Sequence, residues 1–216
     1  MLRNKKKVGI SLRVENIKNY NEKRDAISQD WIKFCNYVGL IPILIPNNLK
    51  DTKEFLKSID VDMLIFSGGD NIGDDVERDK TEKNMIEFAI KNKIPSLGVC
   101  RGMQFFNKFF GGKIYHDKNK THVKTRHKIN FTDKKIDRIL NFKLNTVNSF
   151  HENLLKSDIL SKELQAFGID SNDNTIEAFY HKKYPIIGVM WHPEREKNFK
   201  KELKLFKILE DKKIWE

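Results

Sequence analysis

The sequence predicts an α/β protein: a mainly parallel central sheet flanked by helices, with a small antiparallel excursion. Three observations lead there. Short apolar runs alternate with segments of helical period from Lys7 to Asn92, the pattern of a parallel sheet with crossover helices. Turn glycines punctuate the pattern, Gly39 after a helical period and Gly68-Gly69 after an apolar run. Within Ile94 to Gly112 (IPSLGVCRGMQFFNKFFGG), an apolar strand runs straight into a helical period through one cysteine.

Lys7 to Leu12 reads as the first strand, ending at Arg13. Val14 to Glu22 is polar and aromatic without period and reads as a loop over the carboxyl edge of the sheet. There Arg13, Asn16 and Tyr20 either line a pocket or are ordinary solvated residues. Asp25 to Val38 is a helix with Ile27, Trp31, Phe34, Cys35 and Val38 on one face. Ile41 to Ile45 is a strand, Leu49 to Ile59 a short helix, and Val61 to Phe66 a strand that ends in Ser67-Gly68-Gly69-Asp70. Asp79 to Asn92 is a helix, Leu97 to Val99 a buried strand, and Arg101 to Phe110 a helix. Lys113 to Asn130 reads as a β-excursion or long loop, and Phe131 to Leu144 as a polar connection. Leu164 to Ile169 and Ile176 to Phe179 pair around Asp170-Ser171-Asn172-Asp173-Asn174, a strong turn signal. Ile186 to Met190 is a last core strand and Asn198 to Leu209 a closing amphipathic helix.

A chain of 216 residues suffices for one domain, 1–216, with a full core. No apolar run approaches a membrane span and no long apolar segment follows the basic start, so a soluble cytoplasmic protein is expected, with no membrane partner. The two cysteines, Cys35 and Cys100, make no disulfide framework. The net charge of +11 raises nucleic acid as a partner, but the lysines are dispersed among Asp and Glu with no basic stripe of interleaved aromatics, so nucleic acid is not expected. The positive field suits an anionic small molecule instead. Oligomeric state is left open.

The chemistry centres on Cys100. Gly98 and Gly102 flank it, as a tight strand-to-helix turn requires, and the turn places the thiol at a helix N-terminus, where the dipole favours thiolate. A small buried core cysteine is the bland alternative. His192 and Glu194, two apart after the last strand, outweigh it. In an extended segment both would point to one side, so that the carboxylate bonds the far imidazole nitrogen while the near one faces Cys100. The consecutive glycines at 68 and 69 sit at a strand end, where a backbone N–H can meet an oxyanion; alone, that stretch is more often just a turn. Three histidines, His116, His122 and His127, invite a metal reading, but spacings of six and five fit no common ligand motif and no nearby Cys or carboxylate completes a set. No metal and no cofactor are expected.

Gly98-Val99-Cys100-Arg101-Gly102-Met103-Gln104 resembles the G-x-C-x-G-x-Q signature of class I glutamine amidotransferases, and the run on to Gly112, with Asn107, is similar to the free-standing γ-glutamyl hydrolases of that superfamily. The resemblance spans nearly the whole chain, from the first strand to Trp191-His192-Pro193-Glu194. It implies the class I glutamine amidotransferase-like (flavodoxin-like) fold. It implies a catalytic triad of Cys100, His192 and Glu194, with an oxyanion hole from the backbone N–H groups of Gly69 and Arg101. Gln104 would contact the glutamyl group, or is only an exposed helical Gln. Asn148-Ser149-Phe150-His151 resembles the N-S-x-H segment that lies along the glutamate moiety in these hydrolases. The family commonly continues with His and Gln, whereas here Glu152 and Asn153 follow, which leaves the role of His151 open; it could merely cap a helix starting near Glu152. The activity implied is hydrolysis of a γ-glutamyl amide to glutamate and an amine or amidate. The substrate expected is a small γ-glutamyl molecule, anionic if a nucleotide phosphoramidate leaves, with Arg13 meeting its phosphates. The alternatives are a small-amine (γ-glutamyl-γ-aminobutyrate) hydrolase, a glutaminase subunit passing ammonia to a separate synthase, and a non-catalytic binding protein on the same fold. Intact Cys100, His192 and Glu194 argue against the last.

Overall fold

The computed structural model describes residues 5–134, 136, 138 and 146–215. The apolar run at the start forms β1 (Lys7–Ser11), and the polar stretch after it is not a loop. It forms an antiparallel hairpin of β2 (Arg13–Ile17) and β3 (Glu22–Ala26), with Arg13 opposite Ala26 and Ile17 opposite Glu22 across a 3-10 turn at Lys18–Tyr20. The hairpin is half-buried at most, so no apolar alternation marks its strands. It also shortens the helix expected from Asp25. Asp25 instead accepts from the Asn47 amide N–H and side chain at 2.8 and 2.7 Å, and α1 is Gln29–Val38, capped by Ser28 and closed by Gly39 at φ 79°.

The chain continues as β4 (Ile41–Ile45), α2 (Thr52–Ser58, capped by Asp51), β5 (Met63–Phe66) and α3 (Val76–Asn92, capped by Asp75). Then come β6 (Ser96–Val99) and α4 (Arg101–Phe109). The excursion holds β7 (Tyr115–His116), β8 (Val123–His127), β9 (Ile129–Phe131), β10 (Val147–Phe150) and β11 (Asn153–Leu154). The connection expected over 131–144 falls largely outside the described residues. The last elements are β12 (Leu164–Asp170), β13 (Ile176–His181), β14 (Ile186–Val189) and α5 (Lys200–Glu210).

Eight strands form the central sheet in the order β4-β1-β5-β6-β14-β13-β12-β9. From β4 to β14 every pairing is parallel; β13, β12 and β9 add antiparallel. Outside it, β8 pairs with β10 and β7 with β11, two small antiparallel ribbons. Both faces of the sheet are covered, as its fully apolar strands demand. In β5 the alternation is plain: Met63 and Ile65 pack with Trp31, Phe34, Phe206 and Leu209 of α1 and α5. Leu64 and Phe66 pack with Leu56, Met85, Ile86, Met103 and Phe106 of α2, α3 and α4. Cys35 is fully buried in the first of these layers, and burial pushes its thiol up to about 12, so it is an inert core residue. Among the described residues no helix is long and apolar enough to cross a membrane.

The carboxyl ends of β1, β5, β6 and β14 are neighbours, and the segments that leave them carry Arg13, Ser67 to Asp70, Cys100 and His192.

Candidate active site

Cys100 sits between β6 and α4 with φ 51° and ψ −105°, a conformation a residue with a side chain adopts at a cost of about 1–3 kcal/mol. The turn is held by its surroundings. Cys100 N donates to Val189 O at 2.8 Å and Gln104 N donates to Cys100 O at 3.1 Å. A Cβ on Gly98 would come within 2.7 Å of the Gly102 backbone, and one on Gly102 would overlap the Phe66 carbonyl. Both glycines are therefore required by close packing. The first N–H groups of α4, from Arg101 on, lie at the Cys100 end, where no helical carbonyl precedes them.

His192 leaves β14 and enters a 3-10 turn, Pro193–Arg195, rather than the extended segment expected. The side chains still meet. His192 Nδ1 lies 2.7 Å from Glu194 Oε1 because the turn curls the carboxylate back over the ring, and the near nitrogen is the one engaged. Burial would push the imidazole down, but the Cys100 side chain and Glu194 outweigh it and lift His192 to about 9, so the ring is cationic at neutral pH. Gly68 brings the two together: a Cβ there would lie 2.7 Å from His192 Cε1 and 3.6 Å from Cys100 Cβ. Phe150 packs edge-on to the His192 ring at 5.8 Å.

Sequence reasoning missed the buried frame below. Arg78 on α3 is fully buried and donates to Ser67 O at 2.9 Å and Gly68 O at 3.0 Å. Its Nε bonds Glu82 Oε1 at 3.2 Å. The Arg101 guanidinium pairs with Glu82 and Asp79, and Ser11 Oγ donates to Glu82 at 2.9 Å. Burial alone would raise the Glu82 carboxyl; Arg101 and Arg78 hold it below its usual range. This network fixes the loop Gly68-Gly69 and the start of α4 against each other. Gly69, at φ 119°, takes a conformation that favours glycine, and a Cβ on it would press Arg78 Nη1 and Arg13 Cβ at 3.0 and 3.1 Å. An Arg-x-x-x-Glu pair on a helix reads as a solvated ion pair, so no sequence signal marked Arg78 and Glu82.

The remaining predicted residues divide. Gln104 is buried, not exposed; its Oε1 accepts from Asn153 Nδ2 at 3.2 Å, which puts the departure at 153 directly on it. Asn148 is turned inward and holds the His192 backbone, and Ser149 Oγ donates to His122 O at 2.6 Å. Phe150 is partly exposed, with the Arg195 guanidinium 4.7 Å over its ring. His151 caps no helix. It lies between β10 and β11, with Nδ1 3.0 Å from Asn153 O, and burial pushes it down to about 4. Arg13 bonds Glu15 at 2.8 Å and, with Ser67, Gly68, His192, Glu194 and Arg195, lines a crevice of ≈ 40 Å³. Asn16 and Tyr20 are exposed and take no part in it. A wider cleft of ≈ 610 Å³ runs between α2 and α3, but its Lys53, Glu54, Lys57 and Glu87 include none of the predicted site residues.

A parallel sheet with a strained cysteine elbow at one strand end and a His–Glu pair at the next has the class I glutamine amidotransferase fold. Comparison with known proteins agrees. The peptidase C26 family matches residues 7–194, and the chain belongs to that family of hydrolases. It is 32% identical to a gamma-glutamyl-CDP-amidate hydrolase of Campylobacter jejuni over 201 residues, covering 88% of this chain and 90% of the relative. It is 30% identical over 160 residues to a glutamine-hydrolyzing GMP synthase subunit of Methanocaldococcus jannaschii, covering 73% of this chain and 77% of that one. A solved glutamine amidotransferase of Thermotoga maritima superposes with a TM-score of 0.64 over 98% of this chain and 87% of its own, at 16% identity, and so shares the fold.

Proposed function

We propose that the chain is a γ-glutamyl amide hydrolase that works through a Cys100–His192–Glu194 triad. The observation that carries this is His192, bonded through Nδ1 to Glu194, with its ring and Cys100 converging on Gly68. The Cys100 thiolate attacks the γ-carbonyl carbon and a C–S bond forms. The N–H groups of Gly69 and Arg101 receive the oxyanion. His192 gives its proton to the leaving nitrogen as the C–N bond breaks. It then takes a proton from water as the water attacks the thioester, releasing glutamate and the free thiol. Glu194 holds the imidazolium in place throughout. Every proton and bond in this sequence is supplied by the side chains, the substrate and water. Gln104 and the segment Asn148 to His151 form the wall along which the glutamyl group lies, Ser149 and His151 through main chain because their side chains are engaged elsewhere.

The leaving group we assign is anionic: a nucleotide phosphoramidate of the γ-glutamyl-CDP-amidate kind, as in capsule phosphoramidate biosynthesis. Two guanidiniums, Arg13 and Arg195, line the crevice beside His192, which suits phosphates better than a small amine. The similarity to a GMP synthase subunit favours one second reading, a glutaminase that serves a separate synthase.

Glutamate release separates them. Purified protein is offered glutamine, γ-glutamyl small amines and γ-glutamyl nucleotide phosphoramidates, with Cys100→Ala alongside. Fast Cys100-dependent release from the phosphoramidate, with glutamine poor, is the expected result. Slow release from glutamine alone would favour the glutaminase, and release that survives Cys100→Ala would exclude the triad.

A further inference from the structure

The excursion buries a cluster of side chains that this reaction does not use. His122 precedes β8, His127 ends it, His151 follows β10, and Glu177 comes from β13 in the central sheet. Their exposures are 3%, 7%, 3% and 0%, so each is more than nine-tenths buried. Each imidazole has one nitrogen tied to an acceptor outside the cluster. His122 Nε2 lies 2.8 Å from Asp173 Oδ2, His127 Nδ1 3.1 Å from Asp170 Oδ2, and His151 Nδ1 3.0 Å from Asn153 O. In a neutral ring that acceptor takes the N–H and the other nitrogen keeps a lone pair. All three of those nitrogens turn toward Glu177: His122 Nδ1 at 3.8 Å and His151 Nε2 at 3.7 Å from Oε1, His127 Nε2 at 3.2 Å from Oε2. None of these three nitrogens, and neither Glu177 oxygen, makes a hydrogen bond.

The His122 and His151 nitrogens and Glu177 Oε1 are then buried lone-pair atoms that repel one another, and leaving them unsatisfied is costly. A cation between them resolves it. Ligands about 2.0–2.1 Å from a tetrahedral zinc stand about 3.3 Å apart, so the separations of 3.8 and 3.7 Å from Glu177 Oε1 would close by about 0.5 Å around an ion. Histidines with the second nitrogen on a carboxylate or backbone carbonyl are the usual outer arrangement of a metal centre. The spacing argument from sequence fails because it used the wrong histidine. His116 is exposed and bonds Asn153, while His151 and Glu177 arrive from other elements.

We propose that His122, His151 and Glu177 form a structural site for a divalent transition-metal ion, with zinc fitting the two-nitrogen, one-carboxylate set best and His127 on the second Glu177 oxygen as an outer neighbour. All three ligands are buried, which suits a structural role. Its effect on the reaction is mechanical. His122 O accepts from Ser149 Oγ at 2.6 Å and His151 N at 3.2 Å, and Met190 N bonds Glu177 O at 2.8 Å just ahead of His192. The ion would pin the ribbon that carries Asn148 to the strand that carries His192.

The test uses the full chain. Metal content is measured after purification and after dialysis with added zinc, and the stripped protein is loaded with cobalt(II) for its visible absorption. The expected results are one zinc per chain retained through dialysis, intense tetrahedral cobalt bands, and a lower melting temperature when a strong chelator strips the ion. His151→Gln and Glu177→Gln should lose the ion, and His116→Gln should keep it. Because the buried variants can fail to fold, Asp173→Asn serves as well. It sits at the surface and removes only an outer acceptor, so it should fold and bind zinc about 10–100-fold more weakly. A folded wild-type chain that retains no metal, or binds cobalt without tetrahedral bands, would overturn the proposal. So would an ion retained unchanged by Asp173→Asn together with folded His151→Gln. In either case the cluster is held by shared protons instead.

Discussion

The side chain of Asn148 holds the main chain of His192 from both sides, its Nδ2 donating to the His192 carbonyl at 2.8 Å and its Oδ1 accepting from the His192 amide at 2.9 Å. Nδ2 also reaches Glu196 Oε1 at 2.7 Å. The paired bonds fix where the imidazole stands relative to Cys100, so Asn148 acts through His192. Asn148→Ala should lower kcat of γ-glutamyl hydrolysis by about 10²-fold, the scale of a misplaced catalytic group. Asn148→Asp turns the donor into a charged acceptor facing the His192 carbonyl and Glu196 Oε1, so it should recover no more activity than alanine. Steady-state kinetics on both variants checks this. A change in KM alone would make Asn148 a substrate contact and not a positioning residue.

The strained backbone at Cys100 has a signature in stability. At φ 51° a glycine has no Cβ to crowd, whereas alanine keeps the penalty. Cys100→Gly should therefore be more stable than Cys100→Ala by about 1 kcal/mol, although both should be inactive. Denaturant titration of the two variants decides it. Equal midpoints would mean that the elbow stores no strain.

What the sequence reveals follows from what is local. The strand Met63–Phe66 and the elbow at Cys100 are legible because apolar runs, flanking glycines and a helical period all lie within a few residues. The hairpin Arg13–Ala26 is not, because Asn16 and Tyr20 face solvent and no apolar alternation survives. His192 and Glu194 are legible as a pair, but the backbone between them is not: a 3-10 turn and an extended segment both bring i and i+2 together here. Arg78 and Glu82 lie in a helix whose sequence looks solvated; only the fold shows that α4 and the ends of β1 and β5 close over them. The cluster of His122, His127, His151 and Glu177 fails for the same reason, since spacing along the chain cannot show which distant strand supplies the carboxylate.

In the proposed reaction the charge on His192 should set the alkaline limit. With the imidazole lifted to about 9 by Cys100 and Glu194 against burial, it remains protonated through neutral pH and loses its proton only above that value. The proton needed by the leaving nitrogen goes with it, so kcat/KM should fall on the alkaline side near pH 9. Glu194→Gln removes a charge that favours imidazolium, and the falling limb should move to lower pH along with a loss of rate. A pH–rate profile of both proteins from pH 6 to 10 tests this. A limb that stays in place in Glu194→Gln would mean that another group titrates.

Glu202 on α5 supplies a stability switch of opposite consequence. It is buried beneath the strand that bears His192 and accepts from Trp191 Nε1 at 3.2 Å. Burial raises its carboxyl from 4.5 to about 7, with Glu196 and Glu194 adding to the rise and Trp191 and Lys201 opposing it. A carboxyl raised in the folded state binds its proton more tightly there than in the unfolded chain. Its contribution is thus fully present below pH 4.5 and is lost as pH climbs through about 7. The shift corresponds to about 3 kcal/mol once the group is ionised in both states. Glu202→Gln keeps an acceptor for Trp191 and carries no charge. It should match the wild type near pH 4 and become increasingly more stable between pH 5 and 8. Urea midpoints of the two proteins across that range measure the difference directly, because the other titrating groups, His192 among them, are common to both. A difference that stays constant with pH would show that Glu202 is ionised throughout and that Lys201 and Trp191 outweigh its burial.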